Sequence, residues 1–380
     1  MIPFLVTVIG ILGLIHWFLY TRLVSAFAIT SPAGLWILRF LTVFLAVSYI
    51  LARVWEHRLP EPVVHALHWI ASVWLGLMWE LLWLTLIFFI VKVVMLATGF
   101  WGKLDPEVVL ALGRYSGITV ILVAVLLCAW GVKNAFGPAN VVEVTVPVKN
   151  ATPEIKGMRI ALASDFHAGV IVGPKEVEGM ARQIMSLKPD LILLPGDLVD
   201  RSADDIMHLV DAFRILKAPL GVYGTTGNHE YYAGLNGALQ FCKEAGIHML
   251  MNDYVELPNG LVIAGIEDRT ALTMHRSRPS VDQFIAGLPT GKPVILMDHQ
   301  PETHEALAAG KAGADLVVSG HTHGGQLWPF TILTKATYRF HHGYYSLDGN
   351  GHIIVSDGIG HWGPPTRLDA PAEIVLITLE

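Results

Sequence analysis

Residues 34–54 read GLWILRFLTVFLAVSYILARV, a run whose only charges are two arginines. A bilayer core takes about 20 apolar residues of helix. Comparable runs occupy residues 3–20 (PFLVTVIGILGLIHWFLY), 63–98 and 115–135 (YSGITVILVAVLLCAWGVKNA). Lipid offers no partner to a free backbone amide, so runs of this kind in a membrane can only be helices. Residues 63–98 are interrupted only by Glu80 and Lys92 and are too few for two spans and a turn. They are expected to form one long, tilted helix, giving four spans, with five as the alternative. The first run lacks a basic leader and an A-x-A cleavage site, which predicts a retained helix rather than a signal peptide. Nine of the eleven tryptophans fall in residues 17–130, several near span ends as an aromatic belt places them. Glu80 is an acid deep in a span, either a carboxyl at a helix–helix contact or a functional group.

With four spans the N-terminus, the loop after the second span and the C-terminal region share a side. Arg53, Arg58 and Lys133 lie on that side and Arg22, Lys103 and Arg114 on the other, so basic residues divide evenly. The expectation is a cytoplasmic C-terminal region and an integral protein of a bacterial inner membrane.

The chain changes character near residue 141. Residues 1–140 carry eight Lys/Arg and five Asp/Glu; residues 141–380 carry 18 and 27. The second part is acidic, which argues against a nucleic-acid footprint. The division predicts a membrane region over 1–140 and a soluble domain over 141–380. Two cysteines, Cys128 and Cys242, make no disulfide framework and read as core thiols.

In the soluble part, β-rich runs at 158–164, 190–195, 220–226, 261–266, 293–297, 315–319, 352–356 and 373–379 alternate with helical stretches at 175–188, 204–217, 234–245, 280–287 and 302–310. That alternation predicts βαβ units. The late strands lack helices between them, so the sheet is expected to be mixed.

Five of these strands are each followed by ligand-type residues. They are Asp165-Phe166-His167, Gly196-Asp197-Leu198-Val199-Asp200, Gly227-Asn228-His229-Glu230, Asp298-His299 and Gly320-His321-Thr322-His323. Carboxyl ends of strands are where open α/β sheets build sites. Asp165, Asp197, Asn228, His167, His299, His321 and His323 form a nitrogen and oxygen set without thiolate. That set suits Mn, Fe, Zn or Co, with Mn the first expectation. Seven ligands exceed one catalytic ion and suffice for two, a device for hydrolysing phosphoesters. In an extended loop, residues 321 and 323 point the same way, each imidazole toward a different ion.

The order D-x-H, G-D-x-x-D, G-N-H-E, H, G-H-x-H resembles the calcineurin-like metallophosphoesterase superfamily over roughly residues 155–380. The resemblance implies a four-layer sandwich of two mixed sheets flanked by helices. It assigns Asp165, His167 and His323 to one metal, Asn228, His299 and His321 to the second, and Asp197 to a bridge. It makes His229 the group that stabilises the transition state or protonates the leaving oxygen, oriented by Asp200. Glu230 stands where many members have Asp, outside the metal ligands. The wording SGHTHGGQLWPF and SDGIGHWGPPTRLDAPAEIVLITL is similar to the membrane-associated branch, which includes bacterial phosphodiesterase-like proteins and a UDP-2,3-diacylglucosamine pyrophosphatase. That similarity places His361 and Arg367 near substrate phosphate, or in a structural Gly/Pro loop.

The expected activity is cleavage of a phosphodiester or pyrophosphate bond in a lipid-linked substrate at the bilayer. The alternatives are a soluble cyclic or dinucleotide substrate with the helices only as anchor, and a scaffold with a vestigial domain. Residues 327–345 (LWPFTILTKATYRFHHGYY) are apolar and aromatic, and read as a loop that meets lipid or covers the sheet. His341 and His342 within it read as pocket or surface residues.

Overall fold

The computed structural model describes residues 2–380 apart from His57, Asp348 and Asn350, without the side chains of residues 2–5, 203 and 204. The chain falls into two units, residues 1–132 with Gly363–Thr366, and Lys133–Trp362 with Arg367–Glu380.

The first unit is built from α1 (Ile2–Phe27), α2 (Pro32–Trp55), α3 (Glu61–Ala97) and α4 (Pro106–Ala135). Among the described residues, these four helices are long and apolar enough to cross a membrane. Local chemistry fixes their starts. Ser31 Oγ accepts the Gly34 N–H at 3.2 Å ahead of Pro32 in the first turn of α2. Helix α4 begins at Pro106, well before residue 115 where the hydropathy rises. Its first turn carries Glu107 behind Asp105 and Pro106, a polar start that hydropathy alone passes over. Helix α3 runs unbroken, as its length predicts. Glu80 is buried within this unit, and Trp83 Nε1 donates to its Oε2 at 2.8 Å.

The second unit carries β1 (Asn140–Val146), β2 (Arg159–Leu162), β3 (Leu191–Pro195), β4 (Val222–Thr225), β5 (His248–Met249), β6 (Asp253–Glu256), β7 (Val262–Gly265), β8 (Val294–Met297), β9 (Leu316–Ser319), β10 (Gly343–Ser346), β11 (His352–Val355) and β12 (Glu373–Leu379). Its helices are α5 (Pro174–Ser186), α6 (Ala203–Ile206), α7 (Val210–Phe213), α8 (Asn228–Ala233), α9 (Leu235–Ala245), α10 (Thr270–Thr273), α11 (Val281–Ala286), α12 (Thr303–Ala312) and α13 (Phe330–Thr337). Among the described residues the strands form two six-stranded sheets, ordered β1-β12-β2-β3-β4-β5 and β10-β11-β9-β8-β7-β6. Both are mixed: β12 runs antiparallel to β2, and β10 and β6 antiparallel to β11 and β7, around parallel centres.

Three apolar layers hold this unit together. Leu162, Leu193 and Ile377 from one sheet meet Ile295, Val318 and Ile354 from the other. Ile192 and Leu194 turn outward onto Ala181, Ile184, Phe213 and Phe241 of α5, α7 and α9. Leu296 and Val317 turn outward onto Val281, Ile285 and Ala309 of α11 and α12. The result is a helix–sheet–sheet–helix sandwich. Strands buried on both faces read as continuous apolar runs, and every residue of LILLP in β3 is buried.

The helix expected over 204–217 is broken into α6, a turn at Met207–Leu209 and α7. Ile206, Leu209, Val210 and Phe213 still reach one core, which is why the spacing reads as helical. Residues 327–345, read as a loop, contain α13 and β10. Their apolar side chains lie partly on the surface, so they lack the one-sided period of a core element.

Candidate metal centre

The strand ends do bring the ligand-type residues together. Asp165 and His167 follow β2, Asp197 and Asp200 follow β3, and Asn228 and His229 open α8 after β4. From the other sheet, His299 follows β8, and His321 and His323 follow β9. Asp165, His167 and His323 converge as one group able to hold a cation, and Asp197, His299 and His321 as a second. Asp197 lies between them: its Oδ2 is 3.8 Å from His167 Nε2 and 3.1 Å from His299 Nε2. Asn228 Oδ1 lies 3.0 Å from His321 Nδ1.

The backbone is bent to achieve this. Asp165, His167, Asp197, His321 and His323 all adopt φ between 48° and 72°. Non-glycine residues in the left-handed region cost of order 1–3 kcal/mol each, and such strain gathers at functional sites. The extended reading of the His321 loop is therefore corrected. Both histidines sit in left-handed kinks, with a tight turn at His323–Gly325, and the kinks rather than strand alternation send the rings to different groups. Thr322 is turned aside, its Oγ1 donating to the His341 carbonyl at 2.7 Å. Two glycines admit the carboxylates: a Cβ at Gly227 would collide with Asp197 Oδ1, and one at Gly320 with Asp165 Oδ2.

Several atoms lack the partner that a cation supplies. His299 Nδ1 lies 2.7 Å from the Pro195 carbonyl, which fixes that nitrogen as the donor. Its buried Nε2 faces Asp197 Oδ2 at 3.1 Å and meets no other protein partner. His167 Nε2 and His323 Nε2 stand 2.9 Å apart, with Asp165 Oδ1 3.4 Å from the latter. Lone pairs and carboxylates aimed at one another inside a protein fit bound cations. Burial pushes His321 and His323 down to about 4, with His299 adding to the effect at His321, which favours neutral rings able to coordinate. At His299 burial acts the same way, but Asp197 and Asp165 outweigh it and hold the ring well above its usual value, so a cation bound there would displace the Nε2 proton. Burial alone would raise Asp165 and Asp197, but the surrounding imidazoles outweigh it and hold both carboxyls below their usual range.

Asp200 is shared: its Oδ1 is 2.6 Å from His167 Nδ1 and 2.7 Å from His229 Nδ1. His229 stays partly exposed, its ring edge-on to His167 at 4.5 Å. Arg367 is wholly buried. Its guanidinium donates to the carbonyls of Asp357, Gly358, Gly360 and Ala370, and its Nη2 lies 3.1 Å from His323 Nδ1. His361 is buried against Phe136 and neither ring nitrogen has a partner. Burial, then the Arg367 charge, lowers it to about 3, so it is neutral.

Sequence reasoning passed over the structural role of Glu230. Its buried carboxylate accepts the N–H groups of Asp197, Leu198, Val199 and Gly227 at 2.6–3.3 Å. It ties the two ligand-bearing turns together, and its place one residue after His229 in the G-N-H-E motif is the signal. Glu230→Ala is expected to leave these amides unsatisfied at about 1–3 kcal/mol per buried group. Four such amides at the low end come to about 4 kcal/mol, so the melting temperature should fall by roughly 8–16 °C at the ~2–4 °C per kcal/mol of domains this size, read by calorimetry. Sequence reasoning also missed a separate cluster, in which His342 Nδ1 lies 2.9 Å from Asp357 Oδ1 and 3.9 Å from Glu373 Oε1.

The calcineurin-like phosphoesterase family profile matches residues 158–325. An uncharacterized metallophosphoesterase of Campylobacter jejuni is 30% identical over 376 residues, 98% of this chain and 97% of that protein. One of Aquifex aeolicus is 37% identical over 232 residues, 60% of this chain and 87% of that protein. A Danio rerio protein described as a transmembrane protein with metallophosphoesterase domain is 30% identical over 272 residues, 69% of this chain and 62% of its own. A relative matched from end to end, joined to these strand-end motifs, makes the chain a member of the calcineurin-like metallophosphoesterase family, which uses a dinuclear divalent metal centre.

Proposed function

We propose that this protein is a membrane-anchored phosphohydrolase that cleaves a phosphodiester or pyrophosphate bond in a lipid-linked substrate such as UDP-2,3-diacylglucosamine. Residues 1–140 form the membrane region and 141–380 the catalytic domain, on the cytoplasmic side of a bacterial inner membrane. Asp165, His167 and His323 hold one ion and Asn228, His299 and His321 the other, with Asp197 between them and Mn²⁺ as the metal of choice. When bound, such a pair supplies Lewis-acid polarisation of the phosphoryl oxygens and activates water for in-line attack. The chain's own residues do the rest. His229 holds a proton for the leaving oxygen, and Asp200 keeps that imidazole charged and oriented. Arg367, with each of its three guanidinium nitrogens engaged, positions His323 rather than touching substrate. The neutral His361 offers the one N–H of its ring to the phosphoryl group.

The observation that carries the lipid reading is α13. It follows the His321–His323 turn, and Tyr338 at its end lies edge-on to the His321 ring at 6.0 Å. Ile332 and Leu333 on it are 62% and 56% exposed, and Phe330 and Trp328 are exposed beside them. An apolar surface next to a phosphoester site suits acyl chains or the bilayer that presents them.

The deciding experiment compares UDP-2,3-diacylglucosamine with its deacylated headgroup, using the purified full chain and Mn²⁺. The acylated form is expected to be cleaved at least about tenfold faster, the scale of burying one large apolar side chain. Equal rates would favour a soluble cyclic or dinucleotide substrate. The paired change Ile332→Glu and Leu333→Glu should lower kcat/KM on the lipid substrate about tenfold or more by the same measure. It should leave the rate on a soluble aryl phosphodiester unchanged.

A further inference from the structure

The helical unit contains a cavity of about 1040 Å³ bounded by all four long helices. That is at the upper end of the ~300–1,000 Å³ of ordinary ligand pockets. Along most of its length the wall is apolar, with Leu45 of α2, Leu81 of α3 and Val120 of α4 typical of it. The lining changes where α1 and α3 finish and α4 begins. There Arg22 and Lys92 enter the wall, and among the described residues no aspartate or glutamate lines the cavity.

These two cations are held by rings. The Arg22 guanidinium lies 5.8 Å from the Phe18 ring centroid and 5.2 Å from that of Phe89. Lys92 Nζ lies 4.9 Å from the Trp101 centroid. Arg22 Nε is buried and makes no hydrogen bond. Aromatic faces supply only part of what a desolvated cation needs, and a buried donor without an acceptor is costly. Each cation stands five residues before the end of its helix, Phe27 and Ala97 respectively. At 1.5 Å per residue that is roughly 7–8 Å inside the helix end, near the boundary between headgroups and acyl chains.

A small soluble anion would satisfy the cations and leave the long apolar wall unexplained. A neutral acyl chain would do the reverse. We propose that the four-helix region binds one anionic phospholipid, its phosphate at Arg22 and Lys92 and its acyl chains along the cavity. The site lies wholly within the helical unit and does not rest on the phosphoesterase reading.

The test uses the full chain purified in mixed micelles of palmitoyl-oleoyl phosphatidylglycerol and phosphatidylcholine in equal amounts. Lipid retained per chain after washing is measured by mass spectrometry. Phosphatidylglycerol should be retained over phosphatidylcholine. Arg22→Gln with Lys92→Gln should reduce that retention about tenfold or more, the scale of a lost hydrogen bond to a charged group. Circular dichroism should show the helix content of the wild-type chain. Thr119→Trp, which fills the cavity from an exposed position on α4, should also lower phosphatidylglycerol retention with both cations in place. Equal retention of the two lipids by the wild-type chain overturns the proposal. So does undiminished phosphatidylglycerol retention in either the paired variant or Thr119→Trp.

Discussion

Asp197→Asn is expected to lower kcat on an aryl phosphodiester by a factor of about 1,000, near 4 kcal/mol of barrier. The same change should reduce the bound divalent metal per chain. The reason is position. Asp197 Oδ2 faces His299 Nε2 on one side and His167 Nε2 on the other, at 3.1 and 3.8 Å. Its Oδ1 accepts the His229 N–H at 2.8 Å. Asparagine keeps the shape and one oxygen but removes the charge that two ligand groups share. The pocket left behind is rich in imidazole and short of anion, which weakens its hold on divalent ions. Metal content by elemental analysis and turnover at saturating Mn²⁺ are the two readouts, with circular dichroism to show that the fold survives. Turnover and metal content both equal to wild type would remove Asp197 from the centre and, with it, the dinuclear assignment.

The convergence of the ligand-type residues was legible because each sits directly behind an apolar strand. Chain order there maps onto spatial order: consecutive strand ends open onto the same edge of the sandwich. The kinked backbone was not legible. Nothing in G-H-T-H signals that His321 and His323 adopt left-handed φ, because that conformation is imposed by tertiary contacts, including Asp165 accepting the His321 N–H at 3.1 Å. Glu230 was read only as standing outside the ligands, since three of its four backbone partners come from the Asp197–Val199 turn, some thirty residues earlier. The Arg367 tail was visible as a motif, but its burial was not. Five polar contacts bury that guanidinium, and sequence shows none of them. In the helical unit the spans were readable from length and hydropathy. The cavity was not, because voids depend on how helices lean and on side-chain size at each level.

His229→Ala is expected to lower kcat by about 100- to 10,000-fold, the range for losing a positioned proton donor, while leaving metal content near that of wild type. The size of the loss should depend on the leaving group. A nitrophenolate departs readily without a proton, so its ester should lose least; an alkoxide cannot, so an alkyl ester should lose most. The geometry supports the role. Burial opposes the charge on His229, but Asp200 at 2.7 Å and Asp197 outweigh it and hold the group up at about 9. A proton donor of that kind is loaded below its pKa and is lost as pH rises through it, so the rate should fall on the alkaline side. Asp200→Asn removes the largest raising influence, so the alkaline limb should move to lower pH. Asp200 also holds His167, so that variant needs its metal content measured beside its pH profile. A His229→Ala loss of the same size for nitrophenyl and alkyl esters would instead mean that His229 stabilises phosphoryl charge without giving up its proton.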